Sequence, residues 1–429
     1  MKVGLHYGSG ILSLEIPQSN IAEIIRPWQH EKPVDNTAIL QRALTEQQTQ
    51  NFQERIEGKC LCVLVDDGTR DEPFGDIFGQ VFGILRPSRH VRFLICTGTH
   101  EPDTPENGTI KGQVKEAAKK VGIEHFSMHA HDCEREGLRT AGRTSHGTEI
   151  LFNALADDAD LFLVLSDIKV HYFAGYSNPV KNFVPGICGY ETAEQNHSLA
   201  LDERSTFGVH PWHKNSDRRD NPLAEDQLEV MHMIVRDRPV YALVTISTSA
   251  RISWAGFGPV DEVSGEAFSV VDDRNTHTVK PVSRLVVSPG GLPNDTSLYI
   301  AQRALELTKN AVVNGGEILF LASCPAGIGE ARTIENFYNR LTAPVGDILK
   351  SIESGYRLYN HKPYKFAQLI LRLRRIWMHS DMPDNVVEAA HLYPIGRPQT
   401  IIDNWLAEEP DVRITVVDGA NKIALYAQA

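Results

Sequence analysis

Segment Ser166–His197, SDIKVHYFAGYSNPVKNFVPGICGYETAEQNH, concentrates two histidines, two lysines and three glycines behind the apolar run Leu161–Leu165. A glycine-punctuated loop leaving a buried strand is where α/β proteins usually place their chemistry. His171 in this loop and His100, which closes Thr97-Gly98-Thr99-His100 after another apolar run, each follow such a strand. Two imidazoles converging on one cleft can serve as general acid and general base near neutral pH, one on each side of a substrate. Lys181 offers an amine, and Arg70 a planar fork suited to a carboxylate. Each has a structural alternative: a satisfied histidine for His100 and His171, a surface lysine for Lys181, an ion pair for Arg70. His197 suits either a metal or a hydrogen-bond network.

Repeated βα units would position these residues. Cys60–Val65 reads as a strand ending in Asp66-Asp67-Gly68-Thr69-Arg70, and Val91–Cys96 as a second, followed by a helix over Ile110–Val121. A weaker unit around Glu124–Ala130 leads to a helix near Thr148–Ala156, and Leu161–Leu165 is the fourth strand. In doubly wound sheets ligands bind beyond the carboxyl ends of the strands, where this chain puts Asp67, Thr69, Arg70, His100, Lys169 and His171. Gly68, Gly98 and Gly175 would let the backbone approach a ligand there.

The pattern predicts an α/β fold of two domains with mostly parallel sheets, and an active site in the cleft between them. The first domain spans 1–272. The second spans 273–411, with strands at Arg284–Val287 and Ile318–Ala322 and helices over Leu298–Val313, Ile334–Leu341 and Pro363–Trp377. The terminal stretch, about 412–429, is strand-like and open to rejoining the first domain. The opening MKVGLHYGSGILSLEIP alternates like a β-hairpin.

A formal net charge of −12 argues against a nucleic-acid surface, which needs clustered cations. No apolar run reaches the ~18 residues of a membrane span, and the N-terminus lacks a signal-peptide pattern, so a cytoplasmic protein is expected. The six cysteines show no zinc-knuckle spacing and read as free thiols, four of them in or beside apolar runs.

Taken together, DDGTR at Asp66–Arg70, TGTH at Thr97–His100, SDIKVHYFAGYSNPVK at Ser166–Lys181, PGI at Pro185–Ile187, NH at Asn196–His197 and SPGGLPND…LY at Ser288–Tyr299 resemble the nickel-dependent lactate racemase family. The resemblance runs from about Val3 into the 360s. It implies a nickel-pincer nucleotide joined to Lys181 through a thioamide, with nickel held by carbon, two sulfurs and His197. It implies racemisation or epimerisation of 2-hydroxy acids: a histidine takes the hydroxyl proton while hydride passes to the cofactor ring, leaving a flat 2-keto acid. On this resemblance His100 and His171 are the acid/base pair, Arg70 binds the substrate carboxylate, and Asp67 orients that arginine or the cofactor. Thr69 and Gly175 fall among the cofactor contacts, and Tyr299 and Arg303 among the substrate contacts. The implied partners are a small 2-hydroxy acid and the proteins that make the cofactor and insert nickel.

The chain departs from the family pattern in places. Asn178-Pro179 stands where lactate-acting members carry Gly-Gly, Ile300 and Arg303 replace a glutamine and a lysine, and Gly208–Asp220 is longer and more polar than expected. His361-Lys362 stands where those members present an aromatic-containing stretch. The expected substrate is a short-chain aliphatic acid such as lactate, with malate-like or sugar acids as alternatives. A different class is a cofactor carrier or a metal-dependent hydrolase with His100, His171 and His197 around zinc; the hydrolase would have no need of Lys181. An NAD dehydrogenase is disfavoured by the lack of GxGxxG after a strand.

Overall fold

Strands apolar on both faces must be covered on both sides, and this requirement shapes the unit Gln29–Val271. Leu161–Asp167 is buried at every position. It pairs in parallel with Cys60–Asp66 on one side and Val240–Thr248 on the other. Cys60–Asp66 continues in parallel to His90–Cys96 and then Phe126–Ala130, and Arg251–Pro259 closes the far edge antiparallel. The chain thus steps outward from Cys60–Asp66 in one direction and resumes beside it in the other. Cys60–Asp66 and Leu161–Asp167 are the neighbours whose onward connections diverge, which makes their carboxyl ends a topological switch point. The computed structural model describes residues 1–28, 35–69, 72–134, 137–248 and 250–428.

On one face, Phe74–Val81 lays Phe74, Phe78 and the following Phe82 in an i, i+4 row that ends on Phe93 of the sheet, with centroid spacings of 5.2–5.8 Å. Phe78, Phe82 and Phe93 are essentially fully buried, each contributing roughly 1.5–3 kcal/mol. Helix Pro105–Val121 starts five residues before the expected Ile110, because Thr104 caps the Asn107 amide and Pro105 suits the first turn; Gly122, at φ 75°, ends it. The helix expected near Thr148–Ala156 is instead a strand, Glu149–Asn153, followed by a single 3-10 turn. Its side chains alternate in burial, and it pairs antiparallel with Leu138–Arg143. Period-two packing wins over helix propensity there.

The second unit joins Met1–Trp28 to Asp272–Ala429. Its sheet runs Tyr393–Pro394, Arg375–His379, Val312–Leu321, Val282–Ser288, Ile414–Asp418, Ile21–Ile25, all parallel. This corrects the expected division at both ends of the chain. Ile21–Ile25 is the edge strand of this sheet, and Ile414–Asp418 lies inside it. The hairpin Lys2–Tyr7 and Gly10–Glu15 goes with them because its apolar face, Val3, Leu5 and Leu14, is covered by Val286, Leu319, Leu321 and Trp405. The expected helix Pro363–Trp377 runs from His361 to Arg372 and stops. Arg375–His379 then buries Ile376 and Met378 alternately as a strand. Ile334–Leu341 divides into two short helices, Ala331–Ile334 and Tyr338–Leu341.

Glu317 ties two layers of this unit together, its carboxylate accepting both the Trp377 and Trp405 indole N–H groups at 2.8 Å. Burial alone would raise this carboxyl, but the two indoles, Arg284 and Arg374 outweigh it and hold it below its ordinary value. Its contribution is therefore present above the unfolded carboxylate range and is lost as pH falls through the folded value. Glu317→Gln should cost about 1.5–3 kcal/mol in denaturant unfolding at pH 7. The gap from the parent protein should narrow as the pH is lowered through the carboxylate range.

Candidate functional site

At the switch point one carboxylate joins three segments. Asp66 Oδ1 accepts from Asn182 Nδ2 at 2.8 Å, while Oδ2 accepts from the Ser166 hydroxyl at 3.3 Å and the Asp167 amide at 3.4 Å. The end of Cys60–Asp66 is thereby bound to the end of Leu161–Asp167 and to the turn that carries Lys181. Asp167, buried, accepts from Ser247 at 2.8 Å and Thr245 at 3.2 Å, with Lys169 Nζ at 3.9 Å. Burial raises the Asp167 carboxyl above its ordinary range despite Lys169. Burial, then Asp66 and Asp167, push the Glu72 carboxyl well above its ordinary range.

His100 stands on the adjoining strand end. Its Nδ1 lies 2.7 Å from Oδ2 of buried Asp67, and the Thr69 hydroxyl donates to Asp67 Oδ1 at 2.7 Å. A carboxylate oxygen accepts, so Nδ1 donates, and in the neutral ring the lone pair is on Nε2. The His100 ring is 44% exposed, which leaves that lone pair accessible to a substrate. Gly68 permits this arrangement: a Cβ there would lie 2.3 Å from Glu106 Cβ at the start of helix Pro105–Val121.

The second group centres on Phe173. Lys169–His171 turns back antiparallel on Gly175–Ser177, so the tip Tyr172-Phe173-Ala174 folds against His171, whose Nδ1 accepts the Ala174 amide at 3.3 Å. Phe173 lies 4.5 Å from the His171 ring, 5.3 Å from the His197 ring and 5.5 Å from Lys181 Nζ. Lys181 Nζ is 3.5 Å from His171 Nε2. The Asn178-Pro179 pair explains how Lys181 is held. Asn178 caps the 3-10 turn Pro179–Asn182 through the Val180 amide at 2.8 Å, and Pro179 takes the first position, where no N–H is needed. His197, in helix Tyr190–Ser198, is buried. Burial first, then the Lys181 ammonium, push it down to about 3, against a weaker opposing effect from the Ala193 backbone. It is therefore a neutral imidazole at physiological pH, the form that ligates metals.

The structure thus forms two groups along the carboxyl edge of one sheet: Asp67, Thr69 and His100 in one, and His171, Lys181 and His197 in the other. Gly175 serves the loop itself: φ is +74° and a Cβ would meet the Val209 carbonyl oxygen at 2.0 Å. Arg70 lies outside the described residues. Tyr299 and Arg303 belong to the second unit, on helix Leu298–Thr308. Among the described residues no three His, Cys, Asp or Glu side chains are grouped to hold a metal ion, so the three-histidine zinc arrangement is not formed. Asp66, Asn182, Glu72 and Phe173 had no assigned task in the sequence. A carboxylate ending a buried strand was the signal available for Asp66.

Residues 7–208 match the family described as the lactate racemase N-terminal domain. That stretch of the chain is similar to the lactate racemase family. The chain is 26% identical over 345 residues to a lactate racemase of Thermoanaerobacterium thermosaccharolyticum, covering 78% of this chain and 76% of the relative. It is 24% identical over 354 residues to that of Lactiplantibacillus plantarum, covering 79% and 78%. The solved structure of the lactate racemase apoprotein from T. thermosaccharolyticum shares the fold, with a TM-score of 0.84 at 21% identity over 99% of this chain and 100% of that one.

The loop following Gly208 rests on His210, which is fully buried against Phe268 at 4.9 Å and accepts the Trp212 amide at 3.1 Å. Burial and then His213 push it down to about 3. The unfolded chain takes up this proton near pH 6.5 and the folded chain only near 3, so stability falls by about 1.4 kcal/mol per pH unit across that window. Denaturant unfolding of His210→Gln between pH 7 and 4 should show a correspondingly shallower loss than the parent.

Proposed function

We propose that this chain is a 2-hydroxy-acid racemase acting on lactate or a close relative, with a nickel-pincer nucleotide attached at Lys181. Its similarity to lactate racemases supports an isomerase. The observation that carries the finer reading is the grouping around Phe173: a lysine amine 3.5 Å from an imidazole, beside a histidine that burial keeps neutral. These residues fit the cofactor. The Lys181 amine is a nucleophile suited to covalent attachment, and neutral His197 is a suitable nickel ligand. When bound, the nickel-pincer nucleotide supplies a reversible acceptor of hydride.

The protein's own task is proton transfer and orientation. His100, its tautomer fixed by Asp67, presents Nε2 to take a hydroxyl proton, and Thr69 holds the second oxygen of that carboxylate. His171 provides the second imidazole that a reaction on both faces of one carbon requires. The Arg70 guanidinium is of a type suited to the substrate carboxylate. No helix among the described residues is long and apolar enough to cross a membrane, and all six cysteines are free thiols. A reducing cytoplasm suits such a protein, and there the cofactor-making and nickel-inserting proteins would be its partners.

Chiral chromatography of either lactate enantiomer incubated with holoenzyme tests this reading. Both should converge on the racemate, and substrate deuterated at C2 should keep its deuterium, because hydride is stored and returned. Exchange of the C2 hydrogen with solvent during turnover would instead show carbanion chemistry and overturn the reading. His100→Ala and His171→Ala should each lower kcat by about 10²–10⁴-fold. Asp67→Asn should lower kcat at least about tenfold with little change in KM, since it disturbs the base rather than binding.

A further inference from the structure

The helix that carries His197 is tied at its neighbouring residue to a buried carboxylate. Asp226, on helix Pro222–Val235, is fully buried. Its Oδ1 accepts from the Thr144 hydroxyl, and Oδ2 accepts from the Thr148 hydroxyl at 2.9 Å and from Asn196 Nδ2 at 2.8 Å. The Thr144 oxygen itself accepts the Thr148 amide at 3.0 Å, so its single proton goes to Asp226. All three donors are neutral, and burying a carboxylate among neutral groups is unfavourable unless its hydrogen bonds are made. Well-packed apolar residues would join the same helix and hairpin turn without that cost. What the carboxylate adds is direction. Asn196 directly precedes His197 on helix Tyr190–Ser198 and is fully buried. Its Nδ2 donates also to the Leu223 carbonyl at 3.3 Å, and its Oδ1 accepts from Gln227 Nε2 at 3.4 Å. Gln227 Nε2 reaches the Val184 carbonyl at 3.2 Å as well, three residues beyond Lys181. Successive residues of a helix stand roughly 100° apart around its axis, so pinning the Asn196 side chain sets the rotation that turns His197 toward Phe173, 5.3 Å away.

We propose that Asp226 is a positioning residue for His197, acting through Asn196 to hold the imidazole where it can ligate nickel. This rests on the reading of His197 as the nickel ligand, but the orienting contact does not. Glu229, one turn along the same helix, accepts the Ser145 amide at 2.8 Å and the Ser145 hydroxyl at 2.7 Å. It therefore clamps the same hairpin turn through bonds that do not reach Asn196, and serves as the comparison for a role in stability alone.

Nickel content after dialysis against a chelator, with intact mass, tests this on full-length protein made in a host that assembles the pincer nucleotide. Asp226→Ala and Asn196→Ala should keep the added mass on Lys181 while nickel retention falls at least about tenfold. Glu229→Ala should lower Tm and keep its nickel. The double variant Asp226→Ala with Asn196→Ala should lose no more nickel than the weaker single variant, because one contact is removed twice. Asn196→Ala leaves Asp226 its two threonines, so it carries the test if Asp226→Ala does not fold. Full nickel retention in Asp226→Ala or in Asn196→Ala, or an equal loss in Glu229→Ala, would overturn the positioning role. Diethyl pyrocarbonate labelling of cofactor-free protein, mapped by peptide mass, needs no nickel. His197 should label at least about threefold faster in Asp226→Ala and Asn196→Ala than in the parent or Glu229→Ala, as expected for one lost hydrogen bond. That result with no nickel on the parent would keep the positioning role and sink the nickel reading of His197. Nickel on the parent with labelling unchanged in both variants would do the reverse.

Discussion

The Asp66 carboxylate is the constraint on which the candidate site depends. Parallel pairing brings the ends of Cys60–Asp66 and Leu161–Asp167 side by side, but pairing alone does not fix the loops that leave them. Asp66 does so by accepting from Ser166, Asp167 and Asn182. Asn182 follows Lys181 directly, so the position of the proposed attachment lysine is set by a hydrogen bond to the strand that also leads into Asp67. Asp67 in turn holds His100. One dipeptide, Asp66-Asp67, therefore orients both groups of functional side chains, one carboxylate to each.

Burial then sorts the nitrogen and oxygen groups by charge. His197, enclosed and beside Lys181, remains neutral; the Glu72 carboxyl, enclosed beside other carboxylates, is pushed well above its ordinary range. His100 is left half exposed with a carboxylate behind it. Desolvation disfavours charge where a ligand needs a lone pair, and a buried acceptor fixes the tautomer where a base is needed. The same physics acts at Lys362 in the second unit, where burial and Arg303 oppose the ammonium.

Much of this was legible because the strands are apolar on both faces and end abruptly in polar residues. His100 and His171 could be placed from that pattern, while Lys181 was singled out by the order of motifs that resembles the family. Three features were hidden by interactions distant in sequence. Leu138–Arg143 made Glu149–Asn153 a strand; Ile414–Asp418 drew Ile21–Ile25, some 390 residues away, into the second sheet; and Val312–Leu321 turned Arg375–His379 from a helix end into a strand. The role of Asp67 was expected to involve Arg70 or the cofactor, and its hydrogen bond to His100 is a contact across 33 positions that no local pattern announces.

The most direct test of the central claim is intact-protein mass with peptide mapping and nickel content, on protein made in a host able to assemble the pincer nucleotide. The account predicts an added mononucleotide on the Lys181 peptide and about one nickel per chain, both lost in Lys181→Ala, with the added mass kept in His197→Ala while nickel falls. An unmodified Lys181 in protein that racemises lactate, or an active Lys181→Ala protein free of cofactor, would contradict it.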